Sequence, residues 1–329
     1  MVNSAEKKEA AVVTTPTIHV ARDRYHLAWD PTIEPIATVD SGAVVEFDLL
    51  DASCGQLDAD CGVPQLLALN FDRVDQVGGP IAVNGAEPGD TLQIDLLDFQ
   101  PASWGWTAVI PGFGLLADEF PHPHLRTTRL VDGIGEFLPG VRIPLAPFCG
   151  ELGVAPSGDP RSTIPPDVTG GNMDTRHLTA ASTLWLPIQV PGALFSLGDG
   201  HAAQGDGEVC GTAIETPMRA SVRLTVRRDV SVAAPEFRTA APLGASTNTA
   251  GWLAADGVGP DLFVAARDAV RRMIDRLVIE QRLAPLDAYL LLSVAGDLRI
   301  SEIVDQPNWI VTSYCPLSIF AMPNVLPIL

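Results

Sequence analysis

The chain has 329 residues, 47% of them apolar and 19% charged, enough to bury a large core without a disulfide or metal staple. Its 21 basic and 40 acidic residues leave a net charge of -19, a surface that repels phosphate backbones and anionic lipid and so argues against nucleic-acid and membrane partners. The five cysteines, Cys54, Cys61, Cys149, Cys210 and Cys315, include no CxxC pair, which argues against a disulfide framework and for a cytoplasmic location.

Residues 1–16 are polar or alanine-rich, lack the apolar centre of a signal peptide and are expected to form a flexible extension. No stretch approaches the roughly 18 apolar residues that a membrane span needs. Residues 17–329 show no clean linker and are expected to form one catalytic unit. Strand texture begins at Val44–Leu50 (VVEFDLL) and returns at Thr91–Leu97 (TLQIDLL). The two segments look like copies. Gly42 and Gly89 precede them at the same distance, and Asp48, Leu49, Leu50 and Asp51 recur as Asp95, Leu96, Leu97 and Asp98. A glycine turn feeding an alternating run is a strand signature, and its repetition hints at a duplicated β architecture.

Further strands are expected at 183–190, 193–197, 208–215 and 220–227, with long Gly/Pro-rich loops over 101–125 and 153–171. The texture changes after Gly259. Asp261 is a candidate N-cap, and Phe263, Ala266, Val270, Met273, Ile274, Leu277 and Val278 recur at spacings of three and four. That spacing predicts a helix from Leu262 to Arg282. A second helix is expected over Leu286–Val294 after Pro285, and a strand at Trp309–Tyr314. Strands first and helices in the last third predict an α+β, β-rich fold.

Candidate chemistry is densest between Gly170 and Glu215. GGNMDTRH carries Asp174, Arg176 and His177; LGDGHAAQGDGEVCGTAIE carries Asp199, His201, Asp206, Glu208 and Glu215. Carboxylates and neutral imidazoles are ligands for Zn²⁺ and other divalent ions. Asp199 and His201, two apart, share one side of an extended segment, while Asp174 and His177 suit a tight loop. Several acids gathered without a cation would repel one another, which favours a metal here. Asp206, in a Gly-Asp dipeptide, is expected to serve a turn. Outside the cluster, Glu119 is a candidate pocket base, and His122, Asp51 and Gln56 are candidate substrate contacts. No HExxH, GxSxG, P-loop or GxGxxG pattern occurs.

The run from Gly170 to Glu215 resembles the signature region of the acetamidase/formamidase family. FDRVDQVGGPIAVNGAEPGDTLQIDLLD, PGFGLLADEF, PFCGELGVAP and AYLLLSVAGDLRISEIVDQPNWIVTSYCPLSIF resemble other segments of that family in the same order. The resemblance implies hydrolysis of a small aliphatic amide to carboxylate and ammonia, a duplicated β/β/α layered fold, a divalent metal and a homo-oligomer. It places the metal on Asp174, His177, Asp199 and His201, and makes Glu208 the catalytic base. Zinc is the foremost metal, with calcium, magnesium or manganese as alternatives. Backbone N–H groups of the glycine-rich run are expected to face the oxyanion, and Trp104, Trp106 and Phe113 to enclose the acyl group. The family pattern has an acid where His122 stands, glycine at Ala181 and lysine at Leu317. The rival readings are a hydrolase of cyclic or larger amides and a non-catalytic, metal-containing β-rich binding module.

Overall fold

The computed structural model describes residues 18–240 and 250–320, so the extension expected over residues 1–16 lies outside the described residues. The two copied segments form the strands Ala43–Leu49 and Thr91–Pro101, which lie on either side of Met218–Arg227 and pair antiparallel with it. Gly42 and Gly89 open these strands at φ 94° and 95°, a left-handed turn that glycine adopts without strain. Along Ala43–Leu49, buried Val45, Phe47 and Leu49 alternate with Glu46 and Asp48. Thr91–Pro101 alternates likewise until a register shift at Leu97, after which Phe99 becomes the inward residue.

These three strands centre a six-stranded sheet completed by Ile18–Val20, Thr183–Pro187 and Glu236–Arg238. A second sheet packs on it, ordered Gly170–Asn172, Phe148–Val154, Phe195–His201, Val77–Val83 and Tyr25–His26, with Ala37–Val39 also paired to Val77–Val83. Phe47, Ile94 and Val222 from the first sheet meet Ile81, Leu152 and Phe195 from the second in one core. Strands Phe148–Val154, Phe195–His201 and Val77–Val83 are buried along their whole length. Glycines and the acid within them mask the strand signal that a both-faces-buried run normally gives.

A four-stranded sheet over 104–144 and the two helices form a second core, where Val109, Phe137 and Ile143 meet Met273, Leu277 and Leu291. The helix Leu262–Gln281 starts where expected: the Asp261 carboxylate accepts from the Val264 N–H, and Arg282 closes it at φ 56°. The second helix is Pro285–Ala295, with proline in its first turn. Strand Trp309–Pro316 pairs with Trp252–Gly259 and Asp297–Glu302 beside them. One expected strand is absent: residues 208–214 are turn and irregular backbone, and only Glu215 makes an isolated bridge. Gly207 and Gly211 at φ 92° and 93°, with Glu208 at φ 41°, fold that segment back on itself. The loop expected over 101–125 contains the strand Trp104–Val109, and that over 153–171 contains Arg161–Ser162.

No helix among the described residues is long and apolar enough to cross a membrane, and all five cysteines are free.

Candidate active site

The strand Phe195–His201 runs through the middle of the second sheet and ends in the Gly-Asp-Gly-His run. Its pairing places Gly198 opposite Glu151 and Gly200 opposite Cys149, so Asp199 stands opposite Gly150. A Cβ on Gly150 would press against Asp174 Oδ1 and Asp199 Oδ2. Glycine there leaves the space in which Asp174, Asp199 and His201 converge. The Gly150 carbonyl also accepts from Met173 and Asp174 N–H, which fixes the Asp174 loop over the strand. Glu215 enters from a backbone bridge: its N–H and C=O pair with Trp106, and its neighbour Thr216 donates to Gly200 O.

Two triads of donor atoms result, Asp174–Asp199–His201 and His201–Glu208–Glu215, each with its ligand atoms within 4.8 Å of one another. His201 Nε2 lies 3.0 Å from both Asp199 Oδ2 and Glu215 Oε2. Yet His201 Nε2, Asp174 Oδ1 and Glu215 Oε2 are buried without a hydrogen-bond partner. Orphaned acceptors facing one imidazole nitrogen are what a cation would satisfy. Glu151 is fully buried behind them with both carboxylate oxygens unpartnered, and Asp75 lines the same cavity as Asp174, Asp199, Glu208 and Glu215.

The electrostatics follow from this crowding. Burial, and then Asp199 and Asp174, push Asp75 up to about 8. Burial, opposed by the His201 charge, leaves Glu215 at about 8 and Asp174 at about 6. Glu151 and Glu208 are raised well above the usual carboxylate range, again by burial first and by neighbouring acids second. Asp199 alone among them is held low: burial works against it, but the His201 charge together with side-chain hydrogen bonds from His201, Glu215 and Asp174 outweighs burial. Asp75, Asp174, Asp199 and Glu208 all sit at φ between 41° and 55°. Non-glycine residues in this left-handed region cost of order 1 kcal/mol or more each, and such strain gathers at functional sites.

The acids form the floor of a cavity of about 510 Å³ whose walls are apolar. Trp106 and Phe113 line it, as expected of them, and Trp104 does not. Glu208 lines the floor with Asp174. His177 is not brought to the donor cluster. Its Nε2 faces Asp206 at 3.7 Å, because the left-handed turn at Asp174 sends the two side chains in different directions. Asp206 pairs with Arg176 at 3.0 Å, a structural role in line with its turn position. Glu119 lies at the surface in ion pairs with Arg271 and Arg267 and does not line the cavity, so the geometry removes it as a base. His122 is exposed and also off the cavity.

Asp51 and Gln56 scaffold the wall rather than face the cavity. The Asp51 carboxylate accepts from Ser53, Gly55 and the Trp106 indole N–H, while Gln56 exchanges hydrogen bonds with Asn70. The glycine-run N–H groups expected at an oxyanion are engaged internally: Glu208 donates to Gly205 O, Gly211 to Glu208 O, Cys210 to Ser293 Oγ and Ala213 to Glu215 Oε1. Sequence reasoning gave no role to Asp75, Glu151, Gln204 or Gly150, and counted Glu215 without one. Glu151 was detectable as a lone acid inside FCGELGV; Gly150 acquires meaning only through strand register.

Residues 13–162 and 158–322 match the Acetamidase/Formamidase family. The chain belongs to that family. With the family come the amidohydrolases of linear amide C–N bonds. A formamidase of Methylophilus methylotrophus is 26% identical over 90% of this chain and 89% of its own. An acetamidase of Mycolicibacterium smegmatis is 30% identical over 56% of this chain and 62% of its own. The solved acetamidase from Bacillus halodurans is 30% identical, with a TM-score of 0.66 over 91% of this chain and 97% of that one. A gamma lactamase from Delftia acidovorans superimposes at a TM-score of 0.85 over 92% of both chains, but at 24% identity the likeness is one of fold. Against the family pattern, Ala181 occupies a position at φ 67° that glycine fits without strain. His122 and Leu317, the other two departures, do not line the cavity.

Proposed function

We propose that this chain hydrolyses small aliphatic amides of the formamide and acetamide type to carboxylate and ammonia, with a divalent cation held by Asp174, Asp199 and His201 and closed by Glu215. The observation that carries the metal is the set of buried, unpartnered donor atoms around His201 Nε2. One imidazole among carboxylates suits zinc, and also manganese or magnesium. A divalent cation supplies a Lewis acid for the carbonyl and brings the pKa of water toward neutrality.

The side chains supply the remainder. Glu208, in the cavity beside Asp174, takes a proton from the attacking water and returns one to the amide nitrogen as the C–N bond breaks. Burial, and then the neighbouring Asp174, raise its pKa well above the usual carboxylate range, which makes it a stronger proton acceptor than an exposed glutamate. Trp106, anchored by Asp51, walls the acyl side and excludes water.

Ammonia release from formamide and acetamide, measured with metal content, tests this. Glu208→Gln is expected to retain the metal and lose about 100-fold or more in kcat, within the range of a general base. Asp199→Asn is expected to lose the metal. Full activity in the Glu208 variant removes its role as base; a fully active, metal-free Asp199 variant removes the cation.

A further inference from the structure

The amide of acetamide has four non-hydrogen atoms. At about 30 Å³ each, the share of a water in the liquid, they take up on the order of 100 Å³. The cavity holds about 510 Å³, so some four fifths of it is surplus to such a substrate. The surplus has a definite chemistry. Besides the acids, the lining carries Leu66, Leu69, Phe71, Ile110, Phe113 and Ile164.

These walls are fixed in place. Leu66 and Trp106 are 2% and 3% exposed, and the Trp106 indole is tied to Asp51 at 2.8 Å. The segment that carries Leu66, Leu69 and Phe71, a short helix over Val63–Leu67 followed by a turn at Phe71–Arg73, is stapled by the two hydrogen bonds between Gln56 and Asn70. The Phe113 ring lies directly on Gly211, where a Cβ would come within 2.5 Å of it. Toward the mouth, Phe71 and Phe113 are 52% and 51% exposed, an apolar rim facing water beside a polar floor. A preformed apolar wall of this size, together with convergent polar groups, matches the general pattern of a site for a ligand much larger than acetamide.

We propose that the substrates this site takes best are primary amides with a bulky apolar acyl group, aromatic or branched, of about six to ten carbons. The proposal rests on the amide-hydrolysis reading above. The floor holds the carboxamide, with its nitrogen toward Glu208; the acyl group lies against Leu66, Phe71, Ile110 and Phe113. Water adds its oxygen to the carbonyl carbon, the C–N bond breaks, the nitrogen leaves with the transferred proton as ammonia, and the acyl group leaves as its carboxylate. Formamide and acetamide react in the same place but leave the walls wet. Each methylene buried against such a wall is worth about fourfold in binding.

Two measurements on the full-length, metal-loaded protein decide it. The first compares kcat/KM for ammonia release from formamide, acetamide, hexanamide and phenylacetamide. The expected result is a rise along the series, with phenylacetamide at least about 100-fold above acetamide. Phe71→Ser, a change at an exposed position, is expected to shrink that ratio about tenfold. Acetamide turned over as well as phenylacetamide overturns the proposal while leaving amide hydrolysis intact. The second measures binding of the product carboxylates by calorimetry and needs no turnover. Phenylacetate is expected to bind at least about tenfold tighter than acetate. If no amide releases ammonia, the amide-hydrolysis reading fails by itself, and this arm still judges the apolar wall; equal affinities overturn it.

Discussion

Gln204 holds a proton on Nδ1 of His201. The Gln204 side-chain NH₂ donates to the Asp174 carbonyl at 2.7 Å, and a carbonyl can only accept. The amide oxygen is therefore the atom that meets His201 Nδ1 at 2.8 Å, and Nδ1 must donate to it. Without a cation, and against the effect of burial, Asp199 and Glu215 also hold a proton on Nε2 and raise the His201 pKa well above its ordinary value; a bound cation would replace that proton, with Nδ1 still donating to Gln204.

Gln204→Ala removes both contacts. The His201 ring is then free to change tautomer, and the Asp174 loop loses an anchor. Metal affinity is expected to fall about 10- to 100-fold, the usual effect of losing a partner that orients a ligand. Competition with a chelator of known affinity reads this directly. Gln204→Glu keeps an acceptor for Nδ1 but cannot donate to Asp174 O, so its loss should be smaller. Equal affinities for parent and Gln204→Ala would falsify the tautomer argument.

Gly150→Ala tests the space at the heart of the cluster. Its Cβ would collide with the carboxylate oxygens of Asp174 and Asp199, in a strand buried on both faces. Close packing gives neither side chain room to yield. The variant is expected to lose most of its bound metal and at least about 100-fold in kcat/KM, by the usual sensitivity of catalysis to misplacement of about 1 Å. Metal analysis with circular dichroism separates this outcome from unfolding; a folded variant with full metal and full rate would contradict the placement of Gly150.

The acids also set a pH dependence. Asp75 titrates at about 8 in the fold and near 3.8 in the unfolded chain. Between those values the folded protein holds a proton that the unfolded chain has released, so the Asp75 contribution to stability is fully present at low pH and falls as pH rises toward 8. In chelator, the melting temperature of Asp75→Asn relative to the parent should therefore climb from pH 5 to pH 8. Adding the cation should flatten the difference, because a cation stabilises the ionised carboxylate. A difference that stays level across this range in chelator means that Asp75 titrates as an ordinary exposed acid does.

The sequence carried those parts of the molecule whose signal is local. The capped helix at Asp261, the glycine turns at 42 and 89 and the same-side pair Asp199–His201 are dictated by residues a few positions apart, and each lies where its pattern puts it. His177 misled because a spacing of three carries no information about a left-handed backbone at one of the partners, here Asp174 at φ 46°. Glu151, Gly150 and Asp75 come to the site through strand register and a long loop, relationships of high sequence separation with no local mark. Glu119 looked like a buried acid because its neighbours are apolar, but the arginines that neutralise it stand some 150 positions later on the long helix.

Asp297 offers a test of how the C-terminal part supports the site. Its carboxylate is fully buried, 2.7 Å from Arg176, whose side chain also reaches Asp206 and donates to Gln204 O. Removing one partner of a buried pair leaves the other uncompensated, at a cost of about 3–5 kcal/mol. Because Arg176 keeps Asp206, the lower figure applies to Asp297→Ala. Unfolding entropy of about 0.7 kcal/mol/K for a chain of this length converts 3 kcal/mol into a fall of roughly 4 °C in melting temperature. Asp297→Asn, which keeps an acceptor for Arg176, should lose about half as much. Since Arg176 bears on the loop that carries Gln204, the alanine variant should also bind metal more weakly than the asparagine variant at a temperature where both are folded. A melting temperature unchanged in Asp297→Ala would show that Arg176 is satisfied by Asp206 alone.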